Sequence, residues 1–195
     1  EDPPEDPDDP PEDPDDPIKG TGNVAVYNQP YLNGRGIGDS SDETKNLLSI
    51  VQNEIDSGAS YKIDYSLKNY TDTSKLKEVL DNTNIFIMPE QETSFTFPNS
   101  AKNLIKEFVN KGGTLIQVGD YYQKGTDWLN NIFGWNLSKR GSASTTSLKL
   151  NTANAKGTVY ESGPSTLSNI NVTMQIGKGS VSTFKAIYGN DNYSS

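Results

Sequence analysis

Chemistry in this chain has to do without thiol and imidazole groups, because none of its 195 residues is Cys or His. Lacking a thiolate, it can form no disulfide, cysteine nucleophile or Cys-based metal site. Lacking imidazole, it has neither the usual general base nor the commonest nitrogen ligand. Three carboxylates stand out among what remains, Glu90, Glu92 and Asp120, together with Asn28, Gln29, Tyr31, Tyr121 and Tyr122. Two carboxylates facing one cleft roughly 5–10 Å apart can hydrolyse a glycosidic bond without histidine. The same oxygens can coordinate calcium, and a tyrosine ring can stack on a sugar. No cofactor is expected, with calcium the one ion these oxygens could hold.

For those residues to converge, they must stand at the ends of parallel strands. Residues 23–27 (NVAVY), 61–65, 84–88 (NIFIM) and 114–118 (TLIQV) read as strands, the first as the short apolar run of a buried one and the second as a weaker one. Helical spacing separates them. Leu47, Leu48, Val51 and Ile55 form one apolar face after a capping box at Ser40–Glu43, with Gly58 as the stop. Leu76, Val79 and Leu80 follow a cap at Thr73 or Ser74. Ala101, Leu104, Ile105, Phe108 and Val109 follow a first-turn Pro98 and end at Gly112-Gly113.

Strand and helix in alternation predict an α/β fold, a three-layer parallel sheet joined by right-handed crossovers. Ligands in such sheets sit beyond the carboxyl ends of the strands, where the eight residues above would lie. Solvated loop ends and helix caps are the competing explanation for the same residues. From about residue 137 short strand-like runs, 147–150, 172–176 and 184–188, predict a β-rich C-terminal extension.

Two further motifs carry little chemistry. Gly38-Asp39-Ser40 has the order found in serine esterases, but Ser40 has no histidine as base and reads as a helix cap. Gly34-Arg35-Gly36-Ile37-Gly38 lacks the full dinucleotide spacing and reads as a flexible turn.

The charge is unevenly placed. Residues 1–17 contain only Asp, Glu and Pro, and PEDPDDP at 4–10 recurs at 11–17. That segment holds ten of the 26 acidic residues, leaving 16 against 17 basic ones in the rest of the chain. Repulsion and proline favour an extended polyproline-II-like spacer, so residues 1–22 are predicted to be a tether and 23–195 the folded domain. Proline keeps the repeat's carboxylates from converging into a folded calcium loop. Without a long basic run, nucleic acid is not an expected partner. No apolar stretch approaches the roughly 20 residues of a membrane span, so no insertion by this segment is expected.

The runs NVAVYN (23–28), NIFIMPEQE (84–92), IKEFVNKGGTLIQVGD (105–120) and NNIFGWN (130–136) resemble the flavodoxin-like sheet of class I glutamine-amidotransferase-like domains, especially the non-catalytic versions in exported bacterial proteins. In active members a cysteine occupies the turn after the strand matching 114–118, supported by a histidine and a glutamate. This chain has Gly119-Asp120-Tyr121 there, and Pro89-Glu90-Gln91-Glu92 where an oxyanion-hole glycine turn would stand. The resemblance implies the fold without the glutaminase chemistry. It also implies a closing strand after 184–188, so the chain is expected to be truncated at its C-terminus.

The expectation is therefore a non-catalytic bacterial module, extracellular or on the cell surface, acting in structural assembly, adhesion or ligand binding. Its partners would be neighbouring domains or subunits of a surface assembly, or a carbohydrate. Edge-strand pairing is one route to assembly. The alternative is a carbohydrate-active enzyme or accessory domain using Glu90, Glu92 and Asp120.

Overall fold

The computed structural model describes residues 22–28, 43–58, 60–90, 96–119, 124–143, 147–168 and 173–188. The acidic repeat, the Ser40 cap and the glycine turn at 34–38 lie outside the described residues.

Strands β1 (Asn23–Val26), β2 (Lys62–Asp64), β3 (Ile85–Met88) and β4 (Thr114–Gln117) form one parallel sheet in the order β2-β1-β3-β4. Alternating side chains enter opposite layers. Val24, Val26, Ile85, Ile87 and Val118 pack on the side of α1 (Glu43–Asp56), against Leu47, Leu48 and Val51. Ala25, Tyr27, Phe86, Met88 and Leu115 pack on the side of α2 (Thr73–Asp81), α3 (Asn99–Asn110) and α4 (Lys124–Phe133). Burial on both faces is why β1 and β3 read as unbroken apolar runs.

The helices divide between the faces for a topological reason. From β1 the chain steps one way to β2, then back past β1 to β3 and onward to β4. Right-handed crossovers that step in opposite directions lie on opposite faces, so α1 is on the opposite side from α2 and α3. The α2–α4 side carries the larger core. Trp128, Tyr27, Phe86 and Phe97 are among its largest fully buried side chains, each contributing about 1.5–3 kcal/mol.

Helix ends show where local chemistry decides between neighbours. The N-cap of α2 is Asp72, not Thr73 or Ser74: its carboxylate accepts the Lys75 N–H at 3.0 Å. Pro98 precedes α3 as its N-cap, with no side-chain cap bond. Gly112 ends that helix at φ +95°, and a Cβ on Gly113 would lie 2.5 Å from the Phe108 ring. Both glycines are thus required, one by conformation and one by space.

Beyond α4 the chain forms two small antiparallel ladders. Strand β5 (Ser138–Ala143) pairs with β8 (Thr173–Gly177), with a bulge between Arg140 and Ser142, and β6 (Ser147–Lys149) pairs with β7 (Thr166–Ser168). A short helix, α5 (Thr152–Ala155), lies between β6 and β7. The run 184–188 is not a strand among the described residues, where Tyr188 alone of these five forms a bridge, to Leu150. The Ser180 N–H and hydroxyl both donate to the Trp135 carbonyl at 2.7 Å, tying the end of this region to the segment that follows α4.

Candidate functional site

The carboxyl ends of β1, β3 and β4 lie side by side, so the sheet brings Asn28, Glu90 and the residues after Gln117 to one edge. Of the eight candidates from the sequence, Asn28 and Glu90 are described. Gln29, Tyr31, Glu92, Asp120, Tyr121 and Tyr122 lie outside the described residues.

Asn28 is built into the frame. Its backbone N–H donates to the Leu67 carbonyl at 2.9 Å, and its side-chain amide donates to the Tyr65 carbonyl at 3.4 Å. The segment after β2 is thereby folded over the end of β1, with Leu67 buried beneath it. One residue earlier, the Tyr27 N–H donates to the Ile87 carbonyl at 3.0 Å. Burial pushes the Tyr27 phenol well above its ordinary range, and a backbone hydrogen bond with Tyr70 works the other way less strongly. Tyr27 is therefore a neutral phenol at any physiological pH and no base.

Glu90 is half-buried, directly after buried Pro89, and has a partner of its own. The carbonyl of Pro89 is held from β4, a connection not anticipated from the sequence. The Gln117 side-chain amide donates to the Pro89 carbonyl at 3.3 Å and to the Val118 carbonyl at 2.6 Å. Gly125, at the start of α4, makes room for it: a Cβ there would lie 2.8 Å from Gln117 Cγ, Cδ and Nε2. The visible signal was a glutamine inside the apolar run TLIQV, where a polar side chain must find a partner.

Beneath these ends lies an aromatic layer. Tyr70 meets Phe97 edge to face at 4.8 Å, and Phe97 meets Trp128 at 5.4 Å. Among the described residues, two buried polar atoms, Gln117 Oε1 and Trp128 Nε1, have no hydrogen-bond partner. Among the described residues there is no group of three or more acidic side chains placed to hold a metal ion. No described helix is long and apolar enough to cross a membrane.

The described part of this arrangement serves the frame of the fold. The described strand-end amides bind the chain's own carbonyls, and the buried tyrosine holds its proton. Comparison with known proteins gives no match to a family model, a curated protein or a solved structure.

Proposed function

We propose that this chain is a non-catalytic α/β module of amidotransferase-like type, exported to the bacterial cell surface and working by binding rather than turnover. The observation that carries the reading is the use made of the strand ends. Asn28 and Gln117, the polar side chains with bonds at the ends of β1 and β4, brace neighbouring loops. The position that would hold a nucleophilic cysteine is the Gly119-Asp120 turn, in a chain with no Cys or His. The order β2-β1-β3-β4 supports a flavodoxin-like sheet, being the order of that fold's first four strands.

The free flank of β4 favours assembly as the form of binding. Among the described residues β4 pairs on one side only, with β3, and Ile116 on the α1 face is 40 % exposed. An edge of this kind can accept a strand from a neighbouring domain or subunit.

The test is a turnover assay on the full chain with glutamine and with a panel of cell-surface polysaccharides. Ammonia and reducing-sugar release are expected to stay at the level of buffer. Sugar release that disappears in Glu90→Gln would overturn the reading and establish the carbohydrate-active alternative.

A further inference from the structure

The domain's own charge is segregated, and the segregation matches the tether. Residues 137–188 contain six basic residues, Lys139, Arg140, Lys149, Lys156, Lys178 and Lys185, against one acidic residue, Glu161. Lysines elsewhere are partly neutralised within helices, as in Lys75–Glu78, Lys77–Asp81 and Lys111–Glu107. By contrast Lys149, Lys156, Lys178 and Lys185 are exposed, and no ion pair of theirs occurs among the described residues. Glu161, whose carboxylate accepts the Gly157 N–H at 2.9 Å next to Lys156, offsets one of these charges and leaves the region with an excess of basic residues.

The fold gathers three of these lysines. The Asn151 N–H donates to the Ile187 carbonyl at 2.7 Å, and the Asn154 amide donates to the Ala186 carbonyl at 3.0 Å. These bonds lay the chain at Lys185 alongside the segment that runs from Lys149 on β6 to Lys156 at the end of α5.

The ten carboxylates of residues 1–17 directly precede the domain in sequence. Only five residues separate Pro17 from β1, whose first residue lies at the amino end of the sheet. The Ser180 bonds to Trp135 hold the 178–181 turn of the basic region against the segment that follows α4. An extended repeat of this length reaches about 50 Å, against a radius of gyration of about 15 Å for a domain of this size.

We propose that the acidic repeat folds back onto the basic face of its own domain around Lys149, Lys156 and Lys185, making the tether an electrostatic strap whose reach depends on ionic strength. This goes beyond the module reading and does not depend on it. Each exposed charge pair is weak and screened, but a short linker holds the repeat at millimolar effective concentration, which favours the same chain over another copy. Salt shortens the Debye length from about 30 Å at 0.01 M to about 3 Å at 1 M, so the strap docks at low salt and extends when screened.

The absence of native cysteine allows a single spin label on the full chain through Asp2→Cys. At about 0.02 M salt, relaxation enhancement at amides near Lys149, Lys156 and Lys185 is expected to be several-fold greater than in α2, falling to the α2 level by about 0.5 M. The triple variant Lys149→Glu, Lys156→Glu, Lys185→Glu should lose the difference at low salt. If that variant does not fold, the salt titration on the otherwise unaltered chain decides. Enhancement spread evenly over the surface, insensitive to salt, or appearing only on unlabelled copies in a mixed sample would overturn the proposal.

Discussion

Replacing Gly125 by alanine tests whether the start of α4 is fitted around Gln117. The new Cβ would lie 2.8 Å from three atoms of that side chain, roughly 1 Å inside ordinary carbon contact. Gln117 can retreat only by giving up its bonds to Val118 and Pro89, which are 2.6 and 3.3 Å long. Two neutral hydrogen bonds are worth about 1–3 kcal/mol together, similar to the cost of forcing an extra methyl into a packed site. Alanine in a helix returns about 0.5–1 kcal/mol over glycine. Gly125→Ala should therefore destabilise by about 0.5–2 kcal/mol. In a Gln117→Ala background the obstacle is gone, and the same change should stabilise by up to about 1 kcal/mol. Urea unfolding followed by the fluorescence of Trp128 and Trp135 measures both steps. An equal loss in the two backgrounds would refute the contact as the cause.

Two further outcomes follow from the same layer. Because burial raises the Tyr27 phenol above its unfolded value of about 10, the folded state keeps this proton while the unfolded state releases it. Stability from this group is full below pH 10 and falls above it, by up to about 1.4 kcal/mol per pH unit. Tyr27→Phe should remove that part of the alkaline decline, seen as a smaller difference in urea midpoint between pH 9 and pH 11. Asp72→Ala should cost about 1 kcal/mol through loss of the bond to Lys75 N–H, whereas Ser74→Ala should change stability little. Thermal unfolding of the two variants separates Asp72 from its neighbours as the cap.

The parts of the fold legible in the sequence were those where burial leaves no choice. Residues 24–26 and 86–88 are buried, so their strands appear as uninterrupted apolar runs. Helix α3 was equally plain, with Ala101, Ile105 and Phe108 on one buried stripe. Helix α4 was not, because its start contains Gly125 and its inward signal rests mainly on Trp128 and Ile132. The run 184–188 has strand-like composition, but a strand requires a partner ladder, and among the described residues these make only the Leu150–Tyr188 bridge. The sequence pointed to Thr73 or Ser74 as the cap, whereas the structure uses Asp72. The choice depends on how the chain arrives from Asn69, whose carbonyl takes the Asp72 N–H at 3.1 Å.

At the candidate site, the sequence could place Asn28 and Glu90 because a strand ends where its apolar run ends. Their bonding could not be read, since the Tyr65 carbonyl that holds Asn28 is 37 residues away. Open sheets leave backbone groups exposed at their ends, and a nearby amide that satisfies them is a structural requirement before it is a binding feature.

Charge behaves in the same way. A domain carrying 17 basic and 16 acidic residues beyond the repeat looks electrically neutral, which argues against any charged partner. That balance averages two halves: residues 18–136 hold 11 basic and 14 acidic residues, and residues 137–195 hold six and two. Once the hydrogen bonds of Asn151 and Asn154 set Lys149, Lys156 and Lys185 on one small unit, the excess becomes a surface rather than a number. The complementary charge is then already present in the polypeptide, as ten carboxylates within residues 1–17, joined to β1 by only five residues.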